Sequence, residues 1–217
     1  MHRLVLQKSV TVTGVCKSRH ISPISLGRVW ISDGNNLILT NTAGDELDNV
    51  TDIKQYSYGG HTVNNDGDLI YIDNHGNINK LSTYNKIKTT LIKCRAPRVL
   101  WIPQCIFSSP STGDLLVGML NTGTVTGKVV RYNSTGEIIQ SIQYDNTGCE
   151  LYSRPIYITE NRNGDVIVSD IGCVVVVTDC DGKHRFSDRS LFPLGICTDA
   201  LSHILVCDYN TKSHNTG

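Results

Sequence analysis

The sequence predicts an all-β domain of the β-propeller type, and three observations lead to that prediction. One phrase recurs five times: DGDLIYID at 66–73 and NGDVIVSD at 163–170, with weaker copies at 26–33, 112–119 and 201–208. Successive copies end 38 to 51 residues apart, a period typical of repeat architectures. Between the copies, short apolar runs alternate with Gly, Asn and Asp, and no segment keeps a helical period.

Four antiparallel strands in about 40–50 residues make the blade of a propeller. A single blade cannot bury both of its faces, whereas blades packed radially against one another can. Each copy must then place the same apolar strand at the same depth, which explains the repeated phrase. The strand DVIVSD is apolar throughout because a blade packs on each of its sides.

Turn residues divide the chain into strands, blade by blade. The first blade reads ISPIS, RVWISD, LILTN and ELDNV, and the second reads HTVNN, DLIYID, NINKLS and IKTTLIK. The third reads QCIFSS, DLLVGML, a longer loop NTGTVTG, KVVRY and EIIQSIQ. The fourth reads IYITE, DVIVSD, VVVVTD and HRFS. Pairs such as NG, DG and TG between the runs favour tight hairpins.

These divisions predict the organisation of the chain. We expect a strand or closing segment at 1–19, a propeller at 20–210 and a polar tail at 211–217. The predicted blades span about 20–53, 61–93, 104–143 and 155–187, with a partial fifth blade at 195–210.

An aspartate ends the repeated phrase in four of its five copies, at Asp33, Asp73, Asp170 and Asp208, and Met119 takes its place in the third. An aspartate at a strand end can accept hydrogen bonds from the backbone of the following loop. We therefore expect these four side chains to be structural, rather than metal ligands or catalytic groups.

Composition and motifs point away from catalysis and from membranes. The 20 basic and 20 acidic side chains cancel, so the chain has no global attraction to nucleic acid or to anionic lipid. The longest apolar run is VVVV at 174–177, and the N-terminus lacks the apolar stretch of a signal peptide. The chain is expected to be cytoplasmic, with no membrane or DNA partner and no cofactor.

The cysteines and histidines give no metal pattern. None of the eight cysteines forms a C-x-x-C pair, and the seven histidines show no ligand spacing. Cys173, Cys197 and Cys207 lie in apolar strand-like runs, where we expect reduced, buried thiols that behave as small hydrophobes. No nucleophile or phosphate-binding signature is present in the sequence.

Charge is unevenly placed along the chain. Residues 33–73 carry eight acids and one base, whereas residues 74–113 carry six bases and no acid. The basic stretch has Trp101 beside it and predicts a surface for a partner or for RNA, formed by Lys80, Lys86, Lys88, Lys93, Arg95, Arg98 and Trp101. The alternative is a solvated outer blade edge, where lysines discourage edge pairing.

The phrases GDVIVSD and ICTDALSHILVCDY resemble NHL repeats. The wider series, with RVWISDGNNLILTNTAGDEL, KVVRYNSTGEIIQ and YITENRNGDVIVSD, is similar to the C-terminal propeller of tripartite-motif proteins, in particular the set expanded in bivalve molluscs. The resemblance covers about residues 20–210. It implies a six-bladed ring, so four blades and part of a fifth predict an incomplete one.

The resemblance also implies a function. In that family the propeller recognises substrates, while a RING domain transfers ubiquitin; the sequence contains no RING, B-box or coiled-coil heptads. We expect a non-catalytic module that binds protein, as the substrate-recognition part of a tripartite-motif ubiquitin ligase. An RNA-binding NHL propeller that acts in post-transcriptional regulation is one alternative, and a metal-dependent propeller hydrolase or lyase is another.

Overall fold

A computed structural model describes residues 11–15, 17–25, 27–34, 36–54, 58–94, 101–172, 174–190 and 192–209, with the backbone alone at Ser25. These residues form eighteen strands in five antiparallel sheets and, within the described ranges, no helix. The predicted fold class is confirmed: four four-stranded blades and a partial fifth make up a β-propeller.

The strands follow one another in chain order, and in each blade the first strand is innermost. The first blade has β1 (His20–Ser25), β2 (Arg28–Ser32), β3 (Leu37–Asn41) and β4 (Glu46–Val50). The second has β5 (His61–Val63), β6 (Leu69–Ile72), β7 (Ile78–Leu81) and β8 (Lys88–Ile92). The third has β9 (Trp101–Ser108), β10 (Leu115–Asn121), β11 (Thr126–Tyr132) and β12 (Ile138–Ile142).

The fourth blade has β13 (Pro155–Glu160), β14 (Val166–Asp170), β15 (Val174–Thr178) and β16 (His184–Asp188), and the fifth sheet has β17 (Pro193–Thr198) and β18 (Ile204–Asp208). The inner strands contact one another in succession, from β1 through β5, β9 and β13 to β17. The five related segments therefore surround a common axis.

The repeated phrase forms the second strand of each blade, and its apolar side chains build the core. Every residue of β6 and of β14 is buried. A separate apolar cluster fills each junction between neighbouring sheets, such as the one that holds Ile72 of the second blade and Val117 of the third. Burial on both faces of the second strand is the reason that its sequence recurs.

A five-residue turn joins many of the strands. Its first residue is Asn or Asp, whose side-chain oxygen accepts the backbone N–H groups two and four residues later; Asn161 receives both bonds at 2.9 Å. The fourth residue has positive φ and is Gly in every such turn except one, where Ser202 has a φ of 65°. The turns begin at Asn41, Asn64, Asp73, Asn133, Asp145, Asn161, Asp179 and Asp199.

One expectation from the sequence needs correction. Cys197 and Cys207 are exposed rather than buried, because no sheet among the described residues covers the far side of the fifth blade. Cys173 lies outside the described residues. Most of the strand expected near the N-terminus lies outside the described residues, which begin at 11; residues 11–15 contain a turn in which the Val15 N–H donates to the Val12 carbonyl.

Contacts across the axis join the first blade to the fourth. The Tyr157 hydroxyl donates to the Arg19 carbonyl at 2.5 Å, and the His20 ring centroid lies 5.4 Å from that of Tyr157. Such contacts hold the inner strands at fixed positions. None of the described residues forms a helix that is long and apolar enough to cross a membrane.

Candidate functional site

The third blade departs from the repeat. In the other complete blades the second strand has four or five residues, whereas β10 has seven. Met119 replaces the aspartate that ends the strand elsewhere, and pairing with β11 continues to Asn121 and Thr126. The expected loop at 121–127 is therefore a shorter turn at the end of a longer hairpin, which we call the extended hairpin (residues 119–128).

The tip of the extended hairpin is strained and apolar. The Asn121 side chain accepts the N–H groups of Gly123 and Thr124, and the next residue, Val125, has a φ of 58°. A β-branched residue is a genuine outlier in the left-handed region and costs on the order of 1–3 kcal/mol there. Val125 is nevertheless 66% exposed, so no packing in the described structure accounts for it. Local strain with an exposed side chain is typical of a functional surface.

A groove runs beside the extended hairpin, between the second and third blades. It has a volume of about 300 Å³. We call it the Trp101 groove, and it is lined by Gly76, Ile92, Lys93, Cys94, Trp101, Pro103, Met119, Lys128 and Tyr132.

An aromatic ring and an ammonium group meet inside this groove. Trp101 is the first residue of β9 and is only partly buried. Lys128 is the cross-strand partner of Met119, and its Nζ lies 4.2 Å from the centroid of the Trp101 ring. This is a cation–π contact. Partial burial disfavours the charged ammonium and lowers the pKa of Lys128.

A second lysine gives the groove its net charge. Lys93 follows β8 and is exposed at the edge of the groove. Neither Lys93 nor Lys128 forms an ion pair with a carboxylate of the described residues. The Trp101 groove thus combines two positive charges with an apolar and aromatic lining.

The turn that begins at Asp73 fixes one wall of the groove. Although burial opposes ionisation, hydrogen bonds from Asn77, Asn79 and the backbone lower the pKa of Asp73. Asn77 in turn accepts the N–H of Cys94 at 2.9 Å. Gly76 has a φ of 80°, and a Cβ placed there would lie 3.4 Å from the Cys94 sulfur. Asp73 therefore positions Cys94 through Asn77.

Comparisons with known proteins identify the fold and no family. No protein-family model matches the sequence, and no curated protein matches it. Solved propeller structures do match: virginiamycin B lyase from Staphylococcus aureus has a TM-score of 0.64 at 17% identity, over 91% of this chain and 66% of the lyase. The Cps50 (Swd1) β-propeller domain from Myceliophteria thermophila has 0.63 at 13%, over 89% and 67%.

A Bacteroides caccae protein of unknown function is similar at a TM-score of 0.63 and 15% identity, over 84% of this chain and 65% of that one. The chain therefore spans about two thirds of the length of these structures. Their identities are low, so they bear on architecture alone.

The structure separates the basic residues that the sequence grouped together. Lys93 and Trp101 lie in the same groove, but three other lysines pair with carboxylates. Lys86 lies 2.5 Å from Asp48, Lys80 lies 3.7 Å from Asp68, and Lys88 pairs with Asp52. The hydrogen bond to Asp52 raises the pKa of Lys88. Arg95 and Arg98 lie outside the described residues.

These ion pairs explain the uneven charge along the sequence. Acids of the first blade lie against bases of the second, so much of the predicted basic surface is neutralised where the two blades meet. Of the basic residues predicted for the site, Lys93 remains for a partner within the described part of the chain.

The other repeat aspartates bind the backbone. Asp33 accepts the N–H of Asn36 at 2.9 Å. Asp170, fully buried, accepts N–H groups of Ser153, Arg154 and Gly172. Asp208 accepts the N–H of Phe192 at 3.0 Å.

A buried ion pair joins the third and fourth blades. Arg131 lies 2.8 Å from Glu160, and their side chains are 9% and 3% exposed. Glu160 also accepts the hydroxyl of Ser109, and Arg131 lies 3.4 Å from Asp114. Every charge in this cluster has a partner, as a structural joint requires. In the described residues, no group of three or more His, Cys, Asp or Glu side chains could hold a metal ion.

Sequence reasoning missed Lys128, Met119 and Tyr132 as site residues. One signal was present, since Met119 interrupts the aspartate series. Lys128 could be found only from the register of the extended hairpin, which places it opposite Met119.

Proposed function

We propose that this chain is a non-catalytic recognition module that binds an acidic, extended segment of a partner protein in the Trp101 groove. One observation carries the proposal: the Lys128 ammonium, with no carboxylate partner among the described residues, lies over the ring of Trp101. A carboxylate of the partner would complete this arrangement.

The remaining lining fits a peptide. Tryptophan is enriched among the residues that dominate binding energy at interfaces. Met119, Pro103 and Tyr132 also line the groove, but they are buried, so each presents only a small apolar area to a partner. The exposed Val125 at the hairpin tip extends the apolar surface beyond the groove. An acidic segment with one or two apolar residues matches this combination of charge and lining.

The partner's biological role follows from the sequence resemblance. We infer that the module selects substrates for a tripartite-motif ubiquitin ligase system, and the support is the NHL-like phrase together with the propeller fold. Ubiquitin transfer itself would belong to a RING domain.

A matched pair of peptides tests the binding mode. One fluorescein-labelled peptide alternates Asp and Glu around a central Leu, and the other has Lys at each acidic position. We expect saturable binding of the acidic peptide alone, measured by fluorescence polarisation. Trp101→Ala and Lys128→Met should each weaken it at least tenfold, because each removes half of the cation–π pair. Lys183→Met, at an exposed lysine on another turn, is the matched control.

Equal binding of the two peptides would contradict the proposal, and so would unchanged binding by Trp101→Ala. The groove also has features that suit single-stranded RNA, since bases stack on aromatic side chains and cations bind phosphates. A labelled uridine-rich RNA is therefore titrated in parallel, over a range of salt concentrations. Tighter binding of RNA than of the acidic peptide, with a steep loss of affinity in salt, would replace a protein partner with RNA.

A further inference from the structure

A second cavity lies on the propeller axis, apart from the Trp101 groove. Its volume is about 290 Å³. All five inner strands contribute to it, so it exists only because the blades surround a common centre. The lining comprises His20, Ile21, Ser22, Pro23, Thr62, Val63, Ile106, Phe107, Ser108, Tyr157, Ile158, Thr159, Ile196 and Cys197, with Gly59 and Pro110 from adjoining loops.

The lining of this axial cavity carries no formal charge. It includes no carboxylate, ammonium or guanidinium group from the described residues. Its imidazole, on His20, is neutral at physiological pH, since burial lowers the pKa to about 4. A charged ligand would lose its hydration here without gaining a counter-charge, which is costly.

Two hydroxyl groups of the lining form no side-chain hydrogen bond with the described residues. Ser108, at the end of β9, is 4% exposed, and its unpartnered Oγ is inaccessible from the cavity. Thr159, on the neighbouring strand β13, is 6% exposed and lines the cavity. Buried polar groups are usually bonded, so the unpaired hydroxyl of Thr159 indicates a polar group that belongs beside it.

The rest of the cavity is mostly apolar. Ile21, Val63 and Phe107 come from three different inner strands, and Ile21 is 54% exposed although it lies in β1. A ligand that covers exposed apolar surface in a concave site is stabilised by the burial of that surface. The cavity thus offers a polar edge at Thr159 together with an apolar body.

We propose that the axial cavity binds a small neutral molecule with an apolar ring or chain and one hydroxyl or carbonyl group, to which the Thr159 hydroxyl hydrogen-bonds. The proposal concerns a site separate from the peptide groove and does not depend on the partner bound there.

Three compounds with the same ring system and different charges test it. The probes are 2-naphthalenemethanol, 2-naphthoate and 2-naphthylmethylammonium, each measured by equilibrium dialysis against the intact protein at pH 7.5. The neutral alcohol should bind at one site, at least tenfold tighter than either ion. Equal binding of all three, or no binding of the alcohol at millimolar concentration, would overturn the proposal; the second result would mean that the cavity holds only water.

Variants locate the bound alcohol. Thr159→Val keeps the side-chain shape and should weaken the alcohol at least threefold, while leaving 2-methylnaphthalene, which has no hydroxyl, unaffected. Thr89→Val, at an exposed threonine on β8, is the matched control.

Val63→Trp fills the cavity and should abolish binding, whereas Ile138→Trp, at a 64% exposed position on β12, should not. Circular dichroism checks that each variant is folded. Trp101→Ala should leave the alcohol unaffected, which separates this site from the Trp101 groove. Full binding by folded Val63→Trp protein would contradict the assignment.

Discussion

The imidazole rings of His20 and His61 meet edge to face near the propeller axis, with their centroids 4.6 Å apart. His61 is fully buried, and its Nε2 lies 3.4 Å from the Trp30 carbonyl. Burial lowers the pKa of His20 from 6.5 to about 4, against a hydrogen bond to the His61 backbone that raises it, and it lowers the pKa of His61 well below 6.5. Both rings are therefore neutral in the folded protein at neutral pH.

This pair predicts acid lability. In the unfolded chain His20 is protonated below about pH 6.5, whereas in the folded protein it is protonated only below about pH 4. The unfolded chain therefore binds more protons between these pH values, and the free energy of unfolding falls as the pH falls. The pKa change of His20 alone corresponds to about 3 kcal/mol. We expect His20→Phe, which keeps an aromatic ring, to lose less stability than the natural protein between pH 6.5 and 5 in urea unfolding. His75→Phe, at an exposed histidine, is the control; equal slopes for all three proteins would contradict this explanation.

Lys54 predicts a pH dependence in the alkaline range. Burial lowers the pKa of Lys54 from 10.5 to about 8, and its ammonium donates to the Pro103 carbonyl. Between pH 8 and 10.5 Lys54 is protonated in the unfolded chain but not in the folded protein, so the free energy of unfolding rises with pH. Below pH 8 Lys54 is charged in both states, and burying its charge destabilises the folded protein by about 3 kcal/mol. Replacing Lys54 by methionine would remove this penalty but also the hydrogen bond to Pro103, whose loss should cost about 1 kcal/mol.

Lys54→Met should consequently be more stable than the natural protein at pH 7, and the difference should shrink as the pH rises to 9.5. Urea unfolding at four pH values measures it, with Lys183→Met as the reference. A difference that stays constant from pH 7 to 9.5 would show that Lys54 is not the titrating group.

Gly118 allows the third and fourth blades to approach closely. A Cβ at this position would lie 2.5 Å from the Cys105 sulfur and 2.8 Å from the Pro155 Cβ. Because the proline ring cannot move aside, we expect Gly118→Ala to cost about 1–3 kcal/mol through overpacking. Thermal unfolding measures this cost, and Gly195→Ala, whose Cβ would meet its nearest neighbour at 3.8 Å, should be close to neutral. Similar melting temperatures for the two variants would argue against the tight junction.

Ser202 holds a position that glycine occupies in the other five-residue turns. Ser202 has a φ of 65°, and this backbone conformation is less favourable for a residue with a Cβ than for glycine. We expect Ser202→Gly to stabilise the protein by about 1 kcal/mol, seen as a higher urea midpoint. Ser134→Gly, at an exposed turn residue, should not raise the midpoint. A lower midpoint for Ser202→Gly would mean that the serine side chain makes a contact worth more than the strain.

The sequence was sufficient to predict the blades because a strand that is buried on both faces must consist mostly of apolar residues. β14 is apolar at its first three positions and fully buried, and its copies carry the same pattern. The turn chemistry was equally visible, since an Asn or Asp three residues before a Gly needs no distant partner. These features depend on neighbours in the chain or on the repeat itself.

The site could be predicted only in part, because it depends on contacts between blades. Trp101 and Lys93 were identified, but Lys128 reaches Trp101 only through the register of the extended hairpin. The prediction of a basic surface overlooked the carboxylates of the first blade, which pair with Lys86 and Lys88. The packing of the blades decides which acids lie beside which bases, and the distribution of charge along the sequence does not reveal this packing.

The most direct test of the central claim, that the Trp101 groove binds an acidic protein segment, uses the two tryptophan indole N–H signals in a ¹H–¹⁵N spectrum. Trp30 is 1% exposed in the first blade and serves as an internal reference. Titration with the acidic peptide should shift the Trp101 signal saturably and leave the Trp30 signal unmoved. Saturable binding of the peptide with no change at Trp101 would place recognition elsewhere and contradict the claim.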